Sequence, residues 1–279
     1  MKDSNNEKVE NNLTYDRYLC LDKLLGAQKP LSNPPHHDEL LFIIQHQTSE
    51  LWMKLILYEI GAAIQNIQND QLDPCFKILA RVKLIQRQLF EQWAVLETLT
   101  PTEYVKFRNV LQQASGLHSL QYRSIEFVLG NKNKQALTYY KKTSKAYTEL
   151  KKYLEAPSLY EEFILYLHRR NYAIPNECIN QEWSVPHQHN GKLIDVFAQI
   201  YTDPNMHWDA YNMCEKLVDI EEQFQLWRFR HMKTVERIIG YKSGTGGTTG
   251  VPYLEDVLKV KLFPELIDVR TMIGESTNV

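Results

Sequence analysis

The sequence predicts an all-α protein built on long core helices. Three observations carry that reading: apolar residues recur at helical spacing along most of the chain, alternating strand-like runs are scarce, and helix start signals precede the longest periodic stretches. Residues 15–25 form a first short helix that ends at Gly26, and the prolines within 28–35 keep it from continuing. Asp38 can cap a long helix running to about residue 68. Asp73, with Pro74 at the first helical position, opens another to about 99, and Thr100, Pro101 and Glu103 repeat the signal for a helix through 113. Further helical stretches cover 118–129, 133–155 and 158–170. Residues 171–191, with Pro175 and Pro186 and few periodic positions, form a long excursion. Asp203 and Pro204 then start a helix that would span ~54 Å if unbroken to Ile239. Few globular domains hold such a helix alone, so partner chains are expected along it. A glycine and threonine loop, SGTGGTTG at 243–250, precedes short helical pieces at the C-terminus. The expected organisation is a flexible polar tail, 1–14, followed by a single all-α domain over 15–279.

With 279 residues, 43% of them hydrophobic, the chain has ample material for the core of a folded, soluble protein. A net charge of -2 gives no cationic excess to draw it to phosphate backbones or anionic lipid, so no nucleic acid is expected as a partner. No run approaches the ~20 apolar residues needed to cross a bilayer, and the polar N-terminus has the character of neither a signal peptide nor an anchor; no membrane association is expected. Cys20, Cys75, Cys178 and Cys214 are widely separated and form no CxxC pair. That pattern argues against a zinc ribbon, a thioredoxin motif and covalent c-type haem attachment, and it fits a reducing cytoplasm.

The most informative position is His231. Leu217, Ile220, Phe224, Trp227, His231, Val235 and Ile238 project within roughly one 80° arc of a helix, while Arg230, Lys233, Glu236 and Arg237 point elsewhere. An imidazole in such a seam loses its water, so it either hydrogen-bonds to a neighbour or offers its lone pair to a bound group, most often a metal. Periodicity alone leaves both open. His46 shares a stripe with Phe42, Ser49 and Met53 beside an apolar face of Leu40, Ile44, Leu51 and Leu55, which puts it at a boundary between core and something more polar. Tyr104 and Arg108, four residues apart on one helix face, could grip a carboxylate with two guanidinium donors and a phenol. No Glu-x-x-His pair supports a ferritin-like di-iron centre, and SGTGGTTG lacks the Gly-Lys-Ser/Thr ending of a P-loop. That loop, with Thr245, Thr248 and Thr249, could still close over a small polar group. His36, His37, His187 and His189 lie in loops without a carboxylate or cysteine set and are expected to be structural or solvated.

Four separated motifs resemble the tryptophan 2,3-dioxygenase family: DELLFIIQHQTSELWMK from Asp38, SGLHSLQYR from Ser115, WRFRHMKTVERIIG from Trp227 and SGTGGTTGVPYL from Ser243. The similarity runs from about Tyr15 to beyond Leu254, and residues 171–191 are where it places least. It implies the all-α haem-binding fold of the tryptophan and indoleamine dioxygenases, assembled as a homotetramer in the cytoplasm. It implies an oxidoreductase that inserts O2 across the indole C2–C3 bond of L-tryptophan to give N-formylkynurenine, the first step of tryptophan catabolism by the kynurenine pathway. The implied cofactor is haem b, one per subunit, active as Fe(II). On matching positions His231 ligates the iron and His46 is the catalytic distal histidine near the indole NH. Phe42 lines the indole pocket, Tyr104 and Arg108 hold the substrate carboxylate, and Thr245 contacts the ammonium. Ser115 lies on the distal side of the haem, and Tyr15, Tyr18 and Leu19 reach the active site of a neighbouring subunit. Phe224, Trp227 and Val235 are expected to form a dry wall near His231, and the glycine loop to order on closure. A haem-dependent gas or redox sensor would have no need of the amino-acid clamps, and a helical scaffold would bind no haem.

Overall fold

The computed structural model describes residues 13–274, so the expected tail lies outside the described residues except for Leu13 and Thr14. Two helices of 32 residues form the frame, α3 (His37–Gln68) and α12 (Trp208–Ile239). They follow α1 (Tyr15–Leu19) and α2 (Leu21–Leu25), and between them run α4 (Asp73–Glu91), α5 (Trp93–Leu96), α6 (Pro101–Arg108), α7 (Leu120–Val128), α8 (Lys145–Glu155), α9 (Leu159–Arg169), α10 (Asn176–Ile179) and α11 (Gly191–Thr202). Two short helices, α13 (Val251–Leu258) and α14 (Pro264–Met272), follow, and no strand occurs among the described residues.

The long α4 packs lengthwise between the two frame helices. Arg81 pairs with Glu59 at 2.7 Å and the Cys75 thiol donates to the Ala63 carbonyl, so residue numbers fall on α3 as they rise on α4 and the pair is antiparallel. Lys83 pairs with Asp219 and Arg230 donates to the Phe90 carbonyl, which makes α4 parallel to α12. Between them lie Met53, Ile56, Ile60, Ala63 and Ile67 of α3, Leu79, Val82, Ile85 and Leu89 of α4, and Met213, Leu217, Ile220 and Phe224 of α12, all buried. These fall at intervals of three, four and seven residues, the spacing that keeps side chains on one helical face. At about 1.5–3 kcal/mol for each large apolar side chain fully buried, this seam rather than helix propensity holds the frame together. Truncating Leu79 to alanine should cost about 2–5 kcal/mol.

Several expected boundaries shift. The first helix is broken at Cys20, which adopts φ 51, and α4 gives way at Gln92 before α5 resumes. Asp38 lies inside the first turn of α3, not at its cap, which is His36. The helix carrying His231 starts at Trp208, four residues later than Pro204, so it spans about 48 Å. Residues 191–202 add a helix that the sequence reading left unassigned. Thr100 and Ser158 each form a complete capping box, satisfying two backbone donors at the starts of α6 and α9. Leu40, Ile44 and Leu51, expected on an apolar face, are exposed at 42%, 46% and 51%, whereas Phe42 and Met53 face the core. The excursion at 171–191 contains α10 and is tied down by polar groups: buried Lys132 donates to Glu161 and to the Trp183 carbonyl, and His187 meets Glu265 at 2.8 Å. No helix among the described residues is long and apolar enough to cross a membrane.

Candidate functional site

Three elements converge around His46. Its Nδ1 lies 2.7 Å from the carbonyl oxygen of Phe42, one turn earlier on α3. A carbonyl can only accept, so the proton sits on Nδ1 and the Nε2 lone pair is left free. Burial lowers the His46 pKa, opposed by that hydrogen bond and by the charge of Glu50, so the ring is neutral at neutral pH. The Phe42 ring lies 4.1 Å from the His46 ring, 5.9 Å from Tyr104 and 5.7 Å from Phe107. The capped start of α6 sets Tyr104, Phe107 and Arg108 against this cluster. Burial raises the Tyr104 phenol against the opposing charge of Arg108, which keeps it a hydrogen-bond donor.

The glycine loop closes the same region. Arg108 donates to the Ser243 carbonyl at 2.6 Å, and the Thr245 hydroxyl donates to the Ala114 carbonyl at 3.1 Å. At Gly246 a Cβ would meet the Ser115 Oγ at 2.7 Å and its Cβ at 2.9 Å, so only glycine allows this approach. Gly250 has φ 75, and a Cβ there would meet the Lys242 carbonyl oxygen at 2.5 Å. The loop thus stands in a docked position over Arg108 and Ser115. Ser115 also caps the short turn 116–118 by accepting from the Leu117 N–H.

His231 occupies different surroundings. Its ring stacks on Trp93 at 4.9 Å and 19°, and on Trp227 at 5.8 Å and 20°. Trp227 in turn stacks on Phe224 and packs against Tyr122, an aromatic wall that supplies two of the three expected residues, while Val235 is half-buried. Burial pushes the His231 pKa down to about 4, and His46 is near enough to push it the same way. The ring is therefore neutral at neutral pH and makes no hydrogen bond to any described residue. The buried indole N–H groups of Trp93 and Trp227 also lack partners.

Those orphaned groups bear on which cofactor fits. A single imidazole cannot hold a bare metal ion, and no cluster of three or more His, Cys, Asp or Glu that could do so occurs among the described residues. The donor set suits a metal that brings most of its own ligands, which the His231 nitrogen would hold among aromatic side chains and two buried N–H donors that lack acceptors. A haem meets all of these conditions. Trp93 escaped the sequence reading because it continues the α4 stripe of Val82, Leu89 and their neighbours and so passes for ordinary core.

The fold gathers Phe42, His46, Tyr104, Arg108, Ser115 and Thr245, and sets His231 near His46. It does not bring Tyr15, Tyr18 or Leu19 to them: these are exposed at 76%, 71% and 40%. His187 and His189 pair with Glu265 and Asp268, consistent with structural roles.

The sequence model of the family described as tryptophan 2,3-dioxygenase matches residues 1–169 and 182–273, passing over the first half of the excursion. A protein named tryptophan 2,3-dioxygenase from Serratia proteamaculans (strain 568) is 62% identical over 262 residues, covering 94% of each chain. A protein of the same name from Myxococcus xanthus (strain DK1622) is 57% identical over 258 residues, 92% of this chain and 89% of the relative. Another, from Xanthomonas oryzae pv. oryzae (strain PXO99A), is 56% identical over 266 residues, 95% of this chain and 90% of the relative.

Proposed function

The chain belongs to the tryptophan 2,3-dioxygenase family, and from that premise we propose roles for the residues of its site. It is a haem-dependent dioxygenase that inserts O2 across the indole C2–C3 bond of L-tryptophan to give N-formylkynurenine, the entry to the kynurenine pathway. The haem, when bound, supplies the activation of O2. The protein's own task is then to hold that cofactor and to present the indole in one orientation.

His231, neutral and free of hydrogen bonds to described residues, would hold the iron of a haem b whose active form is Fe(II). His46, with its proton fixed on Nδ1, accepts the indole N–H at Nε2. Its role is orientation and polarisation; the indole N–H is too weak an acid to require a base. Phe42 lies along the indole. Arg108 and Tyr104 bind the carboxylate and Thr245 the ammonium, so both charged ends of the amino acid are fixed. Arg108 is already engaged with the Ser243 carbonyl, which couples carboxylate binding to the closed loop. Ser115 sets the floor on which Gly246 rests. The exposed Tyr15, Tyr18 and Leu19 reach a neighbouring active site in a homotetramer, within a cytoplasmic protein whose residues 15–279 form one domain.

The observation that carries this reading is the pair of neutral imidazoles in contrasting walls, one beside an amino-acid clamp and one beside unpartnered indole donors. A sensor would account for His231 but leaves the Tyr104, Arg108 and Thr245 group without a purpose. The test is to reduce the haem-loaded protein, supply L-tryptophan and O2, and follow the absorbance of N-formylkynurenine. Product formation with stoichiometric O2 uptake is expected; a haem-loaded protein that forms none would overturn it.

A further inference from the structure

One carboxylate outside the site grips the helix on both sides of His231. Glu97 follows α5 directly, and its backbone N–H donates to the Trp93 carbonyl at 2.8 Å, one helical turn back. Its side chain reaches α12. Oε1 accepts from Arg230 Nε at 2.8 Å and Oε2 from a terminal Arg230 nitrogen at 3.1 Å, the two-point geometry that fixes direction as well as distance. Oε1 also lies 3.2 Å from the Thr234 hydroxyl, whose single proton is shared with the Arg230 carbonyl at 2.9 Å. Arg230 immediately precedes His231, and Thr234 lies three residues beyond it. Arg230 is itself held, since it donates to the Phe90 carbonyl and its guanidinium lies 4.7 Å over the Phe90 ring. Its hydrogen bonds, aided by its charge, hold the Glu97 carboxyl below the usual range.

The consequence concerns Trp93. α5 is only four residues long, has no side-chain cap at its start, and follows the break in α4 at Gln92. Such a segment has little rigidity of its own. Yet its Trp93 ring lies within 19° of parallel to the His231 imidazole, and no hydrogen bond to a described residue fixes that imidazole. We propose that Glu97 is a positioning residue: by clamping α12 through Arg230 and Thr234, it holds Trp93 flat against His231 and so sets the rotation of the axial imidazole. This deepens the proposed function and rests on the reading of His231 as the iron ligand. Both Glu97 and Arg230 keep partial exposure, so as an ion pair they add little to global stability, and their removal should leave the fold intact.

The experiment compares wild type, Glu97→Ala, Glu97→Gln and Arg230→Lys as reduced, haem-loaded proteins, by resonance Raman of the Fe–His stretch and by haem transfer to an acceptor protein. Glu97→Ala should shift and broaden the Fe–His band and release haem about 10- to 100-fold faster, with KM for tryptophan unchanged. Glu97→Gln, which keeps one of the two acceptor oxygens, should recover part of both effects, and Arg230→Lys, which loses the two-point grip, should resemble the alanine variant. A wild-type band and wild-type release rate in Glu97→Ala would overturn the proposal. If His231→Ala retains its haem, the ligand reading fails instead. The clamp is then decided in the full-length apoprotein, where the Trp93 ring current should displace the His231 ring-proton resonances. Loss of that displacement in Glu97→Ala upholds the clamp, and an unmoved resonance refutes it.

Discussion

The two histidines lie near one another in opposite kinds of wall. His46 is hydrogen-bonded to its own helix at the Phe42 carbonyl, and its neighbours Tyr104, Arg108 and the 243–250 loop offer polar groups that can exchange one partner for another. His231 packs against the rings of Trp93 and Trp227, which lie 6.3 Å from each other, and makes no hydrogen bond to a described residue. Burial strips the proton from both, so charge state does not distinguish them. What distinguishes them is the free lone pair. At His46 a backbone carbonyl fixes the tautomer and leaves Nε2 as an acceptor for a transient guest; at His231 no described residue competes for the lone pair, and orientation falls to stacking. One side is built to exchange a ligand and the other to keep one.

The largest effect should separate the halves outright. His231→Ala should lose haem, whereas His46→Ala should keep a full complement and lose turnover. Haem stoichiometry measured on both variants breaks the comparison if they behave alike. Next in size is Arg108→Ala. Losing charged hydrogen bonds to a carboxylate costs about 1.5–3 kcal/mol, so kcat/KM for L-tryptophan should fall by roughly 10- to 200-fold. An indole substrate without the carboxylate should be nearly indifferent to the change. Equal losses for both substrates would mean that Arg108 supports the loop through Ser243 and does not bind substrate.

How legible these halves were in the sequence follows from what each depends on. The frame helices and the His231 seam were readable because periodicity over many residues reports burial directly. The four-residue spacing of Tyr104 and Arg108 was readable for the same reason, though their substrate role came with the family resemblance. The break at Gln92 was not readable: α4 and α5 share one stripe through Trp93, and nothing local marks where the axis changes. That hid both Trp93 and Glu97, whose partners Arg230 and Thr234 lie more than 130 residues away. The exposed Leu40, Ile44 and Leu51 show a different limit. Apolar spacing reveals that a face is unsuited to water, but not whether this chain or another covers it.

A smaller effect should confine itself to the exchangeable side. Gly246→Ala would drive a Cβ into Ser115, so the loop must lift from its docked position. KM for tryptophan should rise by about tenfold, the scale of 1.4 kcal/mol, with haem content and the Fe–His band unaltered. A change in haem affinity instead would show that the loop serves the ligand-keeping half, and the division drawn between the two histidines would not hold.

The smallest effect is the most pointed, because it probes the tautomer. His46 must be neutral to accept the indole N–H, and burial lowers its pKa below the ordinary imidazole value of about 6.5. It therefore keeps its lone pair as pH falls through the range where an ordinary histidine would lose it. The acid limb of kcat/KM should lie below pH 6.5, leaving more than half of the plateau value at that pH. Tryptophan itself does not titrate there, its carboxyl and ammonium groups ionising far to either side. His46→Gln, which retains an acceptor but no titrating ring, should flatten the limb while lowering the plateau. Persistence of the same limb in that variant would assign it to another group, with Glu50 beside His46 the first to examine by Glu50→Gln.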